Sequence, residues 1–292
     1  MSFKAAPGRR QGKQAGSGGA PAGRRRTRRW AVAGAVLGGA VSLLAFAPAS
    51  WLAGGLASAS RGHVLLADTQ GSIWSGSGVL VLTGGADSRD AARLPDRLEW
   101  RLRPSWDGFH IEARQPCCIR DTLNLALHPG LGRFTLVLAD TSAAGAPDAA
   151  WLARWPAGLL SGLGTPWNTL QPAGSLRLAS QGFAVEWAQG RWRQRGSLQL
   201  ELLDLSSRVS TVAPLGSYRL TLAAAPGQEG VSALQLQTLG GALQLSGQGS
   251  LSAGRARFSG EAQAAPDQQA GLDNLLNIIG RRHGSRSLIS IG

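Results

Sequence analysis

The stretch Gly71–Leu82, G-S-I-W-S-G-S-G-V-L-V-L, decides the fold class of this chain. Its Gly and Ser residues lead into the apolar run Val79–Leu82, which is typical of a turn followed by a β-strand. From residue 62 onward the chain consists of short alternating runs separated by Gly, Pro and Ser, which is the period-two pattern of half-buried strands. We therefore predict a mainly β, antiparallel domain, curved or sandwich-like, with strands at Val64–Leu66, Ile73–Leu82, Leu98–Leu102, Phe109–Glu112, Leu123–Leu127, Phe134–Leu138, Ser175–Leu178, Phe183–Trp187, Leu198–Leu202, Tyr218–Leu222, Leu234–Gln237, Leu243–Leu245 and Arg255–Phe258.

The two halves of this β region match each other when the sequence is shifted by 118 residues. The landmarks of the match are Trp74 on Trp192, Gly78 on Gly196 and Trp100 on Tyr218. We predict an internal duplication of two related β units, a first over 62–140 and a second over 173–265. The alternative is that the match arises from a Gly- and Leu-rich composition shared by both halves.

Between the two units, residues 141–172 lose the alternating pattern. Pro156 and Pro166 limit the length of any helix there, so we predict a connector with short helical turns. The C-terminal segment, 266–292, carries the spacing of an amphipathic helix, which Gly280 would end, in Leu272, Leu275, Leu276 and Ile279. A final strand is predicted at Ser287–Ile291.

The N-terminal segment is asymmetric in charge. Residues 1–29 carry nine basic residues and no acid, and the 31 residues from Trp30 to Ser60 carry no charge. About 20 apolar residues span a bilayer, and basic flanks stay on the cytoplasmic side. We predict a disordered, basic cytoplasmic tail over 1–29, a transmembrane anchor over 30–51, a spacer over 52–61 and a periplasmic body, in a single-pass inner-membrane protein. The anchor residues are Trp30, Leu37, Leu43, Leu44, Phe46 and Trp51.

Two other interpretations fit parts of this segment. A cleaved signal peptide would use Ala45-Phe46-Ala47 or Ala57-Ser58-Ala59, but Pro48 disfavours the first site and the apolar run is long for a signal peptide. A basic tail can also bind nucleic acid. Because the basic residues directly precede an apolar run, we favour a topology signal that contacts anionic lipid headgroups, and we predict no nucleic-acid partner.

The chain has two cysteines, Cys117 and Cys118, which the predicted topology places in an oxidising compartment. Two adjacent thiols without further Cys or His nearby do not make a zinc site. We favour structural cysteines in a strand or turn after Pro116. A disulfide bond between the two neighbours is the alternative.

The sequence offers no pattern typical of a catalytic or metal site. Its histidines are far apart and have no partner at ligand spacing: His63, His110, His128 and His283. Nucleophile motifs and phosphate-binding loops are also missing. We predict no enzymatic activity, no cofactor and no metal, and the ten tryptophans, placed at strand ends and connections, favour a role in binding or scaffolding.

Five segments together resemble the type II secretion system protein N family (general secretion pathway protein N): G-S-I-W-S-G-S-G (71–78), L-P-D-R-L-E-W-R-L-R-P (94–104), P-L-G-S-Y-R-L (214–220), T-L-G-G-A-L-Q-L-S-G-Q-G (238–249) and L-D-N-L-L-N-I-I-G (272–280). The resemblance covers about residues 30–290 and rests on Gly, Trp and Pro landmarks. It implies a non-enzymatic inner-membrane accessory component that supports export of folded periplasmic proteins across the outer membrane of Gram-negative bacteria. The expected partners are the membrane and other type II secretion subunits. The long basic tail and the cysteine pair depart from the family pattern.

A second resemblance is to AsmA-like envelope proteins, whose curved sheet forms an apolar trough for lipid. It implies lipid as a partner and a groove lined by Leu80, Leu82, Leu198, Leu200, Leu243 and Leu245. A continuous open channel would favour this alternative, and a filled core with aromatic patches would favour protein docking. A third alternative, an envelope enzyme, requires converging acids or histidines.

Overall fold

The structure, a computed structural model, describes residues 23–140, 151–252 and 255–292, with side chains from Trp30 onward. The chain divides into two compact units, one that ends at Ala47 and one from Pro48 to Gly292. Most of the predicted disordered tail and residues 141–150 of the predicted connector lie outside the described residues.

The first unit contains one helix, α1, over Gly23–Ala45. Residues 23–29, predicted as disordered, therefore belong to a helix. The helix ends before the predicted end of the anchor because Pro48 lacks an N–H group and disfavours helical backbone at Ala47. The anchor residues of this unit are all more than half exposed: Trp30, Leu37, Leu43, Leu44 and Phe46. Within the described residues, no helix combines the length and the apolar character that crossing a membrane requires.

The second unit begins with a helix, α2, over Ala49–Ala59. Trp51, predicted as the outer end of the anchor, lies in this second helix and is about half exposed, at 52%. Most of the predicted spacer, 52–61, is therefore helical. Pro48 is the residue directly before the helix, a position that a proline tolerates because no helical partner is needed for its missing N–H group.

Sixteen strands follow in the described part of the chain. They are β1 Val64–Gly71, β2 Ser75–Thr83, β3 Ala91–Arg93, β4 Leu98–Ser105, β5 Gly108–Arg114, β6 Leu123–Gly130, β7 Arg133–Leu138, β8 Ala153–Pro156, β9 Pro172–Ala188, β10 Arg191–Ser207, β11 Gly216–Ala224, β12 Val231–Gly240, β13 Leu243–Ser252, β14 Arg255–Ala264, β15 Arg281–His283 and β16 Arg286–Ile291.

The described strands form one antiparallel sheet. Their order is β1-β2-β4-β5-β6-β7-β9-β10-β11-β12-β13-β14-β16-β15, with β3 paired to β2 and β8 paired to β9. The prediction of a mainly β, antiparallel fold is confirmed. One continuous sheet replaces the two packed sheets that a sandwich would have.

Strands β9 and β10 are unusually long, at 17 residues each. Strand β9 joins the two predicted strands Ser175–Leu178 and Phe183–Trp187. A β-bulge between Arg195 and Ser197 lets the pair continue, and Gly196 occupies it with a φ of 66°. Glycine is required there because a Cβ would collide with the carbonyl group of Gly182.

Short helices connect and close the sheet. A 3-10 helix over Ala157–Leu163 and a single-turn helix, α3, over Trp167–Leu170 lie in the predicted connector. Helix α4, Gln269–Ile279, confirms the predicted C-terminal helix, and Gly280 is its C-cap.

The buried core of the described residues consists of three clusters. Helix α2 packs on Leu66 and Trp100, helix α4 packs on Leu215 and Leu243, and the segment around Ala153 packs on Ala113.

The two halves of the sheet have the same strand order. Adding 118 to the residue numbers of β2 and β4 gives 193–201 and 216–223, which fall within β10 and β11. The series β1-β2-β4-β5-β6-β7 thus stands beside the series β9-β10-β11-β12-β13-β14 in the sheet. The internal duplication of the sequence stays a prediction. Two duplicated β units would have the same order of strands, as these two series do.

Candidate binding surface

The sheet has one apolar and one polar face because its strands alternate between apolar and polar residues. In the register of β10, β11 and β12, Leu198 is opposite Leu222, which is opposite Leu234. On the next row Leu200 is opposite Leu220, which is opposite Leu236. Paired residues share a face, so these six side chains form two rows, here called the leucine rows. All six are half-buried, and none belongs to the three buried clusters of the described chain.

The apolar face continues past the leucine rows into a shallow region around Phe258. The register places Leu234 opposite Gly249, which is opposite Phe258, and Leu236 opposite Gly247. A Cβ on Gly249 would lie 3.0–3.1 Å from atoms of Phe258, and a Cβ on Gly247 would lie closer still, in collision with Cζ of the same ring. The Gly-x-Gly spacing therefore leaves room for the aromatic ring to lie flat on the sheet.

The opposite face of the same strands is polar. Gln199, Thr221 and Gln235 follow one another across β10, β11 and β12. Beside them, Nη2 of Arg219 donates to Oε1 of Glu201 at 2.7 Å, and both side chains remain partly exposed. An exposed pair of this kind contributes little to stability. The pair makes this face polar and solvent-accessible, whereas the leucine rows lie on the opposite, apolar face of the sheet.

The structure separates the six leucines that were predicted to line one groove. Leu80 packs against the cluster beneath α2, and Leu82 is opposite Val64 of β1. Leu243 is buried beneath α4, with Leu245 packed against the same cluster. Only Leu198 and Leu200 lie in the leucine rows. The two helices thus cover the ends of the apolar face, and the continuous trough implied by the second resemblance is limited to its centre in the described chain.

The repeat landmarks occupy related positions in the two halves. Trp100 is 7% exposed, and its Nε1 donates to the carbonyl oxygen of Ser72 at 3.2 Å. Tyr218 is 1% exposed, and its hydroxyl donates to the carbonyl oxygen of Leu243 at 2.8 Å. Both strands therefore carry a buried aromatic residue whose polar atom is satisfied by a backbone carbonyl group.

The other landmarks lie nearer the strand ends. The ring of Trp74 is 6.4 Å from that of Phe109, and the ring of Trp192 is 5.5 Å from that of Phe134 in an edge-on contact. Gly78 packs under Leu66, where a Cβ would lie 2.8 Å from Cγ of that leucine.

Burial raises the pKa of Tyr218 above the ordinary value of 10.0. A raised pKa in the folded state means that Tyr218 contributes stability that is fully present below the pKa of the unfolded chain, near 10, and is lost as the pH rises further. Tyr218 is the only tyrosine of the chain, so the rise in absorbance on forming tyrosinate reports this residue alone. In a spectrophotometric titration we expect no tyrosinate signal until the sheet unfolds. A signal with a midpoint near 10 while circular dichroism stays native would contradict the buried position.

The structure joins Cys117 and Cys118 by a disulfide bond in the loop between β5 and β6, which is the alternative named for this pair. Cys118 is buried and Cys117 is exposed.

Gln115, two residues before this pair, is a buried polar residue that the sequence analysis missed, and it is 1% exposed. Its Nε2 donates to the carbonyl oxygen of Asp96 at 2.9 Å, and its Oε1 accepts from Nε1 of Trp155 at 3.2 Å. No local pattern separates this glutamine from a surface one, because both of its partners are distant in sequence.

The hairpin turns at residues 106–107, 131–132, 189–190 and 225–230 lie at one end of the sheet, because every second turn of an antiparallel sheet does so. We call it the hairpin-tip end. Trp106 and Leu131, which the sequence analysis did not single out, are fully exposed there. Asp107 is beside them, and a hydrogen bond from Ser105 lowers the pKa of its carboxyl group. The sequence contained a signal for both residues: Trp106 lies in the turn sequence S-W-D-G and Leu131 lies in G-L-G. A turn cannot bury a large apolar side chain by itself, so both contexts favour an exposed side chain.

Among the described residues, no three side chains of His, Cys, Asp or Glu lie close enough together to hold a metal ion. Two pairs of charged or titratable side chains lie at the hairpin tips: Nη2 of Arg193 is 2.9 Å from Oε2 of Glu229, and Nδ1 of His128 is 3.3 Å from Oδ2 of Asp107.

A protein-family model described as type II secretion system (T2SS), protein N, matches residues 62–288. The matched range begins just before β1 and ends within β16, so it takes in the whole described sheet except its last residues. Neither the curated proteins nor the solved structures gave a match to the chain.

Proposed function

Because the chain belongs to the type II secretion system protein N family, we propose that it is a non-enzymatic accessory component of the type II secretion system. In this role it would support export of folded periplasmic proteins across the outer membrane by contacts with other subunits. The observation that carries the proposal is the family match over residues 62–288, which supports involvement in type II secretion.

The proposed location is the inner membrane, with the N-terminus in the cytoplasm and the sheet in the periplasm. The basic residues before Trp30 and the uncharged run after it support this topology. The bonded cysteine pair is also in keeping with an oxidising compartment. Reporter fusions at both termini test the topology. An alkaline phosphatase fusion should be active at the C-terminus and inactive at the N-terminus, and the reverse pattern would refute it.

The edge of the sheet supports docking by strand addition. Strand β1 pairs with β2 alone in the described sheet, so its outer edge has backbone groups that an extended segment of a partner could pair with. Strand β13 is in contrast paired on both sides. An interface of this kind requires no pocket, and its specificity comes from the side chains along the added strand.

Photo-crosslinking in native membranes tests this docking mode. A photoreactive amino acid at Gln70, an exposed residue of β1, should crosslink to a secretion subunit that mass spectrometry can identify. The same amino acid at Gln248, an exposed residue of the internal strand β13, is the matched control and should give much less product. Recovery of phospholipid alone from both positions would overturn the proposal of docking through proteins.

A second candidate function is lipid binding, and the leucine rows are the observation that favours it. Six half-buried leucines on three adjacent strands form an aliphatic surface without a hydrogen-bonding side chain in either row. Acyl chains need only apolar contact, at roughly 0.8 kcal/mol for each buried CH2 group. A lipid would therefore suit this surface without further specificity.

Native mass spectrometry of the chain purified in mild detergent tests the lipid candidate. Bound phospholipid should be present on the natural sequence and lost from the double variant Leu220→Gln/Leu222→Gln. Thr221→Gln, on the polar face of the same strand, is the matched control and should keep the lipid. Absence of lipid from the natural sequence, or equal lipid on all three proteins, would rule out the leucine rows as its site.

A further inference from the structure

The hairpin-tip end of the sheet has a composition that neither the family nor the proposed secretion role explains. We propose that this end docks on the surface of an anionic phospholipid membrane. The proposal rests on the proposed inner-membrane location, to which it adds a second attachment made by the folded sheet itself, and it does not depend on the role in secretion.

The apolar part of the argument is the exposure of single large side chains at the turns. Trp106 and Leu131 are fully exposed, and Trp192, at the start of β10, is 47% exposed. Trp106 and Leu131 lie in the hairpins β4-β5 and β6-β7, which are neighbours in the sheet. Tryptophan is favoured in the headgroup region of a bilayer, where its ring is apolar and its N–H group can still be hydrated.

The charge at this end is positive. The segments flanking its turns, 69–77, 103–110, 128–135, 186–193, 222–233 and 250–257, contain six arginines and three acidic residues. Basic residues near an anionic bilayer each contribute about 1 kcal/mol of attraction. The excess of arginine therefore attracts the hairpin-tip end, where Trp106 and Leu131 are exposed, to such a surface.

The path of the chain leads to the same end. Pro48, the first residue of the second unit, forms an isolated β-bridge with Ser72, in the turn between β1 and β2. Strand β2 begins there, where Ser75 is opposite Arg101 in the half of β4 that leads to Trp106. The chain therefore enters the second unit at its hairpin-tip end.

The arrangement fits a bilayer better than a protein partner. Trp106 and Leu131 lie in different turns, and each side chain is fully exposed and so packs against nothing. A protein interface concentrates its apolar residues at a packed centre. A fluid headgroup layer accommodates separate side chains to a depth of about 5–10 Å, with arginines beside them reaching the phosphates.

Spin labels on the full chain test this docking. The native cysteines are bonded to each other, so Trp106→Cys, Leu131→Cys and Asp87→Cys each provide one reactive thiol. Trp106 and Leu131 are fully exposed, and Asp87 is an exposed residue at the opposite end, so none of the labels disturbs the core. The labelled chains are reconstituted into vesicles of phosphatidylethanolamine and phosphatidylglycerol. Collision rates with oxygen and with a water-soluble nickel complex then report the depth of each label.

We expect the labels at positions 106 and 131 to favour collisions with oxygen, while the label at 87 favours the nickel complex. In phosphatidylcholine vesicles, or after Arg133→Glu with Arg191→Glu, the labels at 106 and 131 should return to the aqueous value. The proposal is overturned if these two labels match position 87 on anionic vesicles, or if they insert equally into phosphatidylcholine. Immobilisation of the labels only by an added acidic protein would likewise refute it.

Discussion

Replacing Trp100 by alanine is expected to lower the free energy of unfolding by about 3–5 kcal/mol, the usual cost of removing a buried tryptophan. Trp100 is 7% exposed and packs with Ala49 and Leu66, with Leu56 of α2 against the same cluster. Its loss leaves a cavity between α2 and the sheet and removes the hydrogen bond to Ser72. Urea unfolding followed by circular dichroism measures the change as a lower midpoint.

Trp106→Ala is the matched control because it removes the same side chain six positions later in the sequence. Trp106 is fully exposed, so we expect its loss to change stability by no more than about 0.5 kcal/mol. Equal destabilisation by the two variants would mean that α2 does not pack on Trp100. The same control variant also retains the sheet for the membrane experiments at the hairpin-tip end.

Replacing Leu272 by alanine is expected to destabilise the C-terminal half by about 2–5 kcal/mol. The side chain is completely buried, and with Leu275 and Leu276 it attaches α4 to Leu243 and Ala262 of the sheet. Because α4 covers one end of the apolar face, its release should expose that end before the sheet itself unfolds. Hydrogen exchange should show lost protection in α4 and in β16 first.

Ile278→Ala is the matched control on the same helix. Ile278 is 46% exposed, so its truncation removes little buried surface and should leave the exchange of β16 unchanged. If Leu272→Ala behaves like Ile278→Ala, helix α4 is not held by the cluster described above. If both variants release the helix, the half-exposed face of α4 contributes to its attachment as much as the buried cluster does.

The strands and the C-terminal helix were predictable because their signals are local. Short alternating runs from residue 62 onward predicted the strands, and the spacing from Leu272 to Ile279 predicted α4. The order of strands in one sheet was not predictable, since pairing between strands is set by contacts distant in sequence. The family was predictable from its Gly, Trp and Pro landmarks, and the match over residues 62–288 confirms it.

The helix bounds at the N-terminal end differ from the predicted segments for a physical reason. The uncharged run from Trp30 to Ser60 predicts an anchor and a spacer, and Pro48 divides it into α1 and α2. The anchor itself stays a prediction. Apolar composition alone does not say whether a segment packs on the protein or lies in lipid. Helix α2 shows the first behaviour, because Ala49 and Leu56 pack on the sheet around Leu66 and Trp100.

The candidate binding surfaces were only partly predictable for a similar reason. Alternation correctly placed Leu198 and Leu200 on the apolar face, but it could not show that α2 and α4 cover Leu80 and Leu243. Trp106 and Leu131 were missed because an apolar residue in a turn is exposed or buried according to what packs above it. Gln115 was missed because its structural role comes from its burial. The burial of a single polar residue cannot be predicted from its neighbours in the sequence.

The central claim is that this chain acts in type II secretion, and a clean deletion of its gene tests the claim most directly. The measurement is the fraction of a folded secretion substrate in the medium and in the periplasm, compared among the parent, the deletion strain and the strain complemented with the full chain. We expect the substrate to be folded but retained in the periplasm of the deletion strain, and to return to the medium on complementation. Equal secretion by the parent and the deletion strain would contradict the claim.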